Sequence, residues 1–584
     1  MSDWLGFFST HSSCSQIPGY LSNTGFNPEQ FSSTCLDKRL WVTSQPSISH
    51  CGNIFLYLAG KIYNHLEIRH GLRFSSWHSE SQSETIVEGI AQRGLSLVLD
   101  LRGSFAFAAY DRSKCQLLLG RDRIGLQPLY ISWQSDGLFF SCDQSKLSQF
   151  QEQTPFSFSN LLTYGHIPHS FSFPGPETKG VAAFPPAFVV RVNYSRPHDP
   201  IRYWPSQPRP DWTPLPLKSF SRASTFLRHQ LEEVILLQLR SVSEPVCLLN
   251  TDPASLCLSA LVNRLNSCST QNVSVSLPGD FYDFPTRVQF FSKPGSTTHH
   301  NVNVSEDVAV SSLQQGLLSS DYLTLFNPSS YLQRCALSTL GISTFFSSSG
   351  ASDLFGSTYL HHHIPLIRIL QLFPVSLRRF VYRLCIGSLD TVDYDLSSYD
   401  SILSQVFAST ESYNSPIIQS GLPHPHYPAL DLQRITQLWG RISWAYLFGI
   451  TEPLLLRNLS DSNITSNPVT LCPFLDSLIV ELALRLPQSF HRPGQGLLLK
   501  SCEDLLSLNS NAIVSGRCSL PLTSWLLGPL RSICISRLSF LESTGWFDNS
   551  WLQSQWTSFE SGHISSMSIW RLVLLGESIR RRRF

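Results

Sequence analysis

The sequence predicts two domains: an α+β domain of short strands first, then an α/β domain that ends in helices. Three observations lead there. At 584 residues, with 42% hydrophobic and 12% aromatic side chains, the chain can bury more than one core. Its first third carries short alternating segments between polar turns. After a proline-rich stretch at 205–217, strand, turn and helix patterns alternate, as in a parallel α/β sheet.

In chain order, residues 54–58, 103–110 and 116–120 read as strands, the last two joined as a hairpin by Arg112-Ser-Lys114. Residues 161–204 read as mostly extended. Proline stiffens residues 205–217 and removes ladder donors, so this stretch reads as a linker. Residues 219–240 have helical apolar spacing, and 246–250 form a short apolar strand. From about residue 430 onward helices dominate. No internal repeat is present.

Composition narrows the function classes. Charged residues make up only 15%, and the net charge is +1, which gives no pull toward nucleic acid or anionic membranes. No apolar run is long enough for a membrane span, and no signal peptide is evident. The 14 cysteines lack any CxxC pair and read as free thiols in a reducing, cytoplasmic setting. Eight of the 43 basic residues are lysines, none beyond Lys500.

Several stretches carry a resemblance. Leu101-Arg-Gly-Ser-Phe-Ala-Phe-Ala-Ala-Tyr-Asp111, Gly120-Arg-Asp-Arg-Ile-Gly-Leu-Gln-Pro-Leu-Tyr130, Tyr164-Gly-His-Ile-Pro168, Phe184-Pro-Pro186 and Arg202-Tyr-Trp204 lie in the first domain. Pro473-Phe-Leu-Asp476 and Trp525-Leu-Leu-Gly-Pro-Leu-Arg531 lie in the second. Together they resemble the asparagine synthetases, and also β-lactam synthetase and lasso-peptide cyclase relatives. The resemblance implies a class II glutamine amidotransferase-like domain at 1–205, a linker at 206–217 and an asparagine-synthase-like domain at 218–584. The implied folds are an N-terminal Ntn-hydrolase-like αββα domain and an adenine-nucleotide-α-hydrolase-like (PP-loop) α/β domain with a helical C-terminal part.

The chemistry that the resemblance implies is largely replaced. Where the family places its nucleophilic cysteine after Met1, this chain has Ser2, a far weaker nucleophile that needs an adjacent base such as its own α-amine. The family's Asn-Gly-Glu-Ile-Tyr-Asn reads Ala59-Gly-Lys-Ile-Tyr-Asn64, so an oxyanion donor is lost, a change worth about 3 kcal/mol in such sites. Arg102 replaces the acid that holds the glutamine ammonium. Arg39 matches the arginine that holds the glutamine carboxylate, and reads as a structural remnant of that pocket.

In the second domain the family's Ser-Gly-Gly-Leu-Asp-Ser loop reads Asn250-Thr-Asp-Pro-Ala-Ser255. Both glycines and the metal-binding Asp are gone, Pro253 has no N–H, and Asp252 brings negative charge toward phosphate. A remnant nucleotide pocket would comprise Leu248, Asn250, Thr251, Asp252, Ser255, Ser347 and Ser348. In Ser347-Ser-Ser-Gly-Ala-Ser-Asp-Leu-Phe-Gly356, Ser349 and Ser352 replace the family's Glu and metal Asp. Asp353 lies one position off and is the one candidate metal ligand; the neighbouring register points elsewhere. Val469 and Leu471 replace a Glu and an Arg, and Ser515 stands where the family's lysine belongs, with Arg517 a poor substitute.

His361-His-His363 and His424-Pro-His426 read as structural histidines, and Arg580-Arg-Arg-Arg583 as a basic helix end. The function expected is an asparagine-synthetase-like pseudoenzyme that binds a protein partner or an active homologue, with a homo-oligomer also open. No cofactor is expected under that reading. The alternative is a divergent ATP-dependent amide ligase that uses ATP and Mg²⁺ at a rearranged site built from Asp252, Asp353 and Arg517.

Overall fold

The computed structural model describes residues 4–9, 34–36, 40–150 except 75 and 136, 174, 180–193, 197–204, 215–266 except 218 and 251, 270–279, 297–318, 327–356, 374, 437–448, 468–506 except 492–494, and 520–582. Contacts divide the chain into two compact units, with the change-over at 211/212 and residues 154–168 grouped with the second.

The first unit contains, in chain order, β1 (Leu5–Ser9), β2 (Thr34–Leu36), β3 (Leu40–Val42), β4 (Ser47–Ile48), β5 (Ile54–Ile62), α1 (His65–Gly71), α2 (Gln82–Arg93), β6 (Gly103–Asp111), β7 (Gln116–Arg121), β8 (Tyr130–Gln134), β9 (Gly137–Ser141), β10 (Ala182–Ala183), β11 (Phe188–Val192) and β12 (Pro197–Arg202). They form two six-stranded antiparallel sheets, ordered β10-β8-β9-β1-β3-β2 and β12-β11-β7-β6-β5-β4. Strand periodicity sends alternate side chains inward, and the inner faces share one core. Trp4, Phe8, Leu40 and Phe140 meet Tyr57, Ala106, Ala108, Tyr110 and Leu119 there. Helix α2, capped by Ser81, packs on β5, and Leu147 of a 3₁₀ segment (Gln144–Phe150) covers Phe7 and Phe139 on the outer face of the first sheet. The first unit is thus a mixed α/β domain built on two packed antiparallel sheets.

The Gly120-to-Tyr130 motif is a turn held from within. Asp122 accepts backbone N–H bonds from Phe105, Ile124, Gly125, Leu126 and Gln127, at 2.7–3.3 Å. Arg121, fully buried, donates to the carbonyls of Gln127, Phe184 and Gly125. These charged residues therefore satisfy backbone groups that a buried turn would otherwise strand.

The second unit holds α3 (Phe220–Leu239, capped by Ser219), β13 (Val246–Leu249), α4 (Pro253–Leu265), β14 (Thr270–Ser276), β15 (Thr297–Asn303), α5 (Glu306–Leu318), α6 (Pro328–Thr339), β16 (Thr344–Phe346), α7 (Ala351–Phe355), α8 (Leu438–Tyr446), β17 (Val469–Leu471), α9 (Ser477–Arg485), α10 (Gly496–Ser501), α11 (Leu522–Leu527), α12 (Arg531–Ser543), α13 (Asn549–Glu560) and α14 (Ser566–Arg582). Its five strands are all parallel, in the order β15-β14-β13-β16-β17. Trp525 and Trp570, both fully buried, centre a helical core with Leu526, Leu538, Leu574 and Ile579. The Trp525 indole N–H donates to Glu306. Among the described residues no helix is long and apolar enough to cross a membrane.

Candidate functional site

Sheet order places the candidate site of the second unit. Order runs outward from β13 to β14 and β15 on one side, and to β16 and β17 on the other. The switch point therefore lies between β13 and β16, and open α/β sheets bind ligands beyond the carboxyl ends of such strands. The turns that leave β13 and β16 are the ones the sequence reading singled out.

These turns are closed by their own side chains. Asp252 is the N-cap of α4: its carboxylate accepts from the Ser255 N–H at 3.2 Å, and Pro253 takes the first helical position. The Ser255 hydroxyl accepts from the Asn250 N–H at 3.1 Å and lies within donating distance of the Asn250 and Asp252 carbonyls. The Ser348 hydroxyl donates to Asp252 at 3.3 Å and so joins the two turns. Ser347 and Ser349 share a 2.8 Å hydroxyl contact, and Ser347 is tied to β17 through the Leu471 carbonyl. Burial pushes the Asp252 carboxyl up from its ordinary value, against the hydrogen bonds of Ser348 and Ser255. The Asn250 and Ser255 N–H groups and the Ser255 and Ser348 hydroxyls are engaged internally, and the one charge among the described residues of this turn is a carboxylate, a set that does not fit a triphosphate.

The structure thus brings together Asn250, Asp252, Ser255, Ser347, Ser348 and Ser349. It does not do so for every candidate. The Leu248 side chain belongs to an apolar cluster with Val273, Leu337 and Phe345, so it is a core residue. Val469 starts β17 opposite Thr344, at the amino end of the strand and roughly 7 Å short of its carboxyl end. Asp353 is buried within α7, whereas its neighbour Ser352 accepts from the Gln495 amide at 3.4 Å. Lys500 pairs with Glu503 on an exposed face. Thr251, Ser515, Arg517, His361 to His363, His424 and His426 lie outside the described residues, as do Ser2 and Arg39 in the first unit. Among the described residues, no three His, Cys, Asp or Glu side chains cluster in a way that could hold a metal ion.

Two residues of this region carried no signal in the sequence. Gln495 is fully buried with φ +60°, and among the described residues its Oε1 has no hydrogen-bond partner. Gln333 reaches the Asn250 side chain at 3.4 Å. The surviving motif residues have packing roles. Gly350 caps α7 at φ +88°, and a Cβ there would lie 2.2 Å from the Leu475 side chain. Phe355 meets Phe474 edge-on at 6.2 Å.

In the first unit Ala59 is 1% exposed and faces the inter-sheet core, paired with Ala106 across the ladder. Gly60 follows at φ +88°, where a Cβ would sit 2.0 Å from the Ser104 carbonyl oxygen. The Asn64 side chain accepts from the Arg102 N–H at 2.8 Å and donates to the Asp100 carbonyl at 2.7 Å, fixing the entry to β6. Lys61, partly buried, has its ammonium pKa lowered by desolvation.

Comparison with known proteins gives these arrangements a context. A glutamine amidotransferase domain family matches residues 37–204. Asparagine synthetase [glutamine-hydrolyzing] 2 of Bacillus subtilis is 27% identical over 129 residues, 22% of this chain and 15% of that protein. Asparagine synthetase B of Escherichia coli is 33% identical over 105 residues, 18% of this chain and 19% of its own length. The maize (Zea mays) asparagine synthetase is 23% identical over 335 residues, 55% of this chain and 50% of its own length. The matches with these three thus span 15 to 50% of the relatives' lengths. A solved structure described as the allosteric regulatory enzyme of purine biosynthesis aligns at a TM-score of 0.23 and 13% identity, over 52% of this chain and 74% of that one.

Proposed function

We propose that this chain, a member of the asparagine synthetase family, is a pseudoenzyme that acts by binding a protein partner or an active homologue. The observation that carries the reading is the pair of turns at the β13/β16 switch point. The Asn250 and Ser255 N–H groups and the Ser255 and Ser348 hydroxyls bond within these turns, and a half-buried Asp252 stands where a phosphate-binding loop needs glycine. The parallel order of the second unit supports a PP-loop-like ancestry for that sheet. Loss of glutamine hydrolysis is supported by the methyl group of Ala59 at the oxyanion position and by Ser2 and Arg102 in place of nucleophile and acid. The nine cysteines whose side chains are described, all free, fit a reducing, cytoplasmic setting.

A second reading, a divergent amide ligase, draws on two carboxylates, the half-buried Asp252 that caps the helix after β13 and the buried Asp353 in the helix after β16. One assay separates the readings. Purified protein is incubated with ATP, Mg²⁺, aspartate and either glutamine or ammonia, and ammonia, AMP and pyrophosphate are followed. The pseudoenzyme reading expects none above the no-protein blank. Pyrophosphate release abolished by Asp353→Ala would establish the ligase instead.

A further inference from the structure

The edge of a β-sheet carries a row of N–H and C=O groups that can template another strand, and chains blunt such edges with short strands, proline, charge or bulges. Among the described residues the three sheets have six edges, and five of them are blunted in these ways. Strands β4 and β10 are two residues long, and β2 and β17 three. Strand β12 contains Pro197, Asp199, Pro200 and Arg202, and its ladder with β11 shifts register between Val189 and Arg191. Strand β15 differs. Its seven residues, Thr297-Thr-His-His-Asn-Val-Asn303, include no Lys, Arg, Asp, Glu or Pro, and they pair one for one with β14 without a shift. Thr298, His300, Asn301 and Asn303 are exposed.

The ladder fixes which backbone groups face the open side. Just past β15, the Val304 N–H donates to the Ser276 carbonyl of β14 at 3.0 Å. Backbone groups alternate sides along a strand, so the even-numbered residues of β15 bond to β14. Thr297, His299, Asn301 and Asn303 therefore turn their N–H and C=O groups outward, where no described strand pairs with them. Side chains hold this edge in strand form. The Ser274 hydroxyl lies 2.9 Å from the His299 Nε2 and donates to the Asn301 Oδ1 at 2.9 Å, and the Ser276 hydroxyl donates to the same oxygen at 3.0 Å.

We propose that β15 is a dimerisation edge: two copies of this chain pair their β15 strands antiparallel about a two-fold axis at His300, joining their parallel sheets into one. The occupant is a second copy because the strand is self-complementary in this register. On the open side His299 lies opposite Asn301 and Thr297 opposite Asn303, each pair exchanging both N–H···O bonds. Between them Thr298 faces Val302, a β-branched pair, and the two His300 side chains meet at the axis. No pair sets two formal charges against each other, and a net charge of +1 adds little repulsion between copies. A foreign strand would satisfy the same N–H row, but the mirrored pairs specify self. The contact does not depend on whether the β13/β16 turns bind nucleotide.

The test is sedimentation velocity of the purified full chain across a concentration series, where a monomer–dimer equilibrium in rapid exchange is expected from so small a contact. His300→Glu sets two carboxylates across the axis, and His300→Lys two ammonium groups. Each variant alone should sediment as a monomer at concentrations where the unaltered chain is dimeric. Mixed in equal amounts they should recover the dimer, a rescue that a folding defect would not give. Asn303→Pro removes an outward N–H that β14 does not use, and should weaken dimerisation about tenfold with an unchanged circular dichroism spectrum. That variant decides the matter if the His300 variants fail to fold. An unaltered chain that stays monomeric at every concentration would overturn the proposal, and protection of its 297–303 amides from hydrogen exchange would show that the chain covers its own edge. A dimer that survives both His300→Glu and Asn303→Pro, or folded Glu and Lys variants that fail to rescue each other, would place the interface elsewhere and overturn it as well.

Discussion

The two units depart from the asparagine synthetases they resemble in different places. In the antiparallel unit Ala59, which stands where the resembled family has Asn, lies inside a strand and contributes a methyl group to the inter-sheet core. In the parallel unit the replaced positions lie in turns, and the new side chains cap and bond those turns. A strand position is owned by packing on both sides, so a change there is locked in by the core. A turn position faces outward from a sheet end, so a new side chain need only satisfy local backbone groups. Reverting a residue should therefore be costly in the first unit and mild in the second.

The largest expected effect concerns Gly60, whose left-handed backbone and close approach to the Ser104 carbonyl leave no room for a Cβ. Gly60→Val should destabilise the first unit by about 3 kcal/mol or more in urea unfolding, and a change under 1 kcal/mol would show that β5 can move aside. Ala59→Asn restores the family residue and buries an amide in an apolar core. It should cost about 2 kcal/mol and yield no ammonia from glutamine. A stable variant that releases ammonia would break the comparison in its first half.

Acid sharpens the second half. His491 stacks on Trp439 at 4.4 Å, and burial depresses its imidazole to about 3. A depressed value means that the folded state prefers the neutral ring. This contribution is complete above the ordinary histidine pKa near 6.5, and is lost as pH falls from there toward 3, at no more than about 1.4 kcal/mol per pH unit. His491→Phe keeps the stacking and should flatten that acid slope, followed by tryptophan fluorescence. An unchanged slope would assign the acid sensitivity to other groups. Smaller still, Asp252→Ala removes the α4 cap and should cost about 1 kcal/mol, whereas Asp252→Gly, the reversion, should cost only a few tenths. Equal and large losses from both would mean that this turn is held as tightly as the β5 strand.

The same contrast explains what the sequence disclosed. The hairpin of β6 and β7 was legible because alternation on both sides of Arg112-Ser-Lys114 leaves one register that buries the apolar set. The strand and capped helix around Asn250 to Ser255 were legible from an apolar run that meets Asp-Pro. The side of the sheet end that Val469 occupies was not, because a motif match fixes residue order but not which end of a short strand meets the turns. Gln495 escaped notice for a similar reason: a buried glutamine at positive φ is set by tertiary contacts and has no local signature.

The central claim is that the β13/β16 turns have given up nucleotide chemistry, and isothermal titration of the purified full chain with ATP and Mg²⁺, with AMP as control, tests it most directly. The account predicts no saturable heat up to millimolar ATP. A saturable, Mg²⁺-dependent isotherm weakened by Asp353→Ala would contradict it and return the second unit to the ligases.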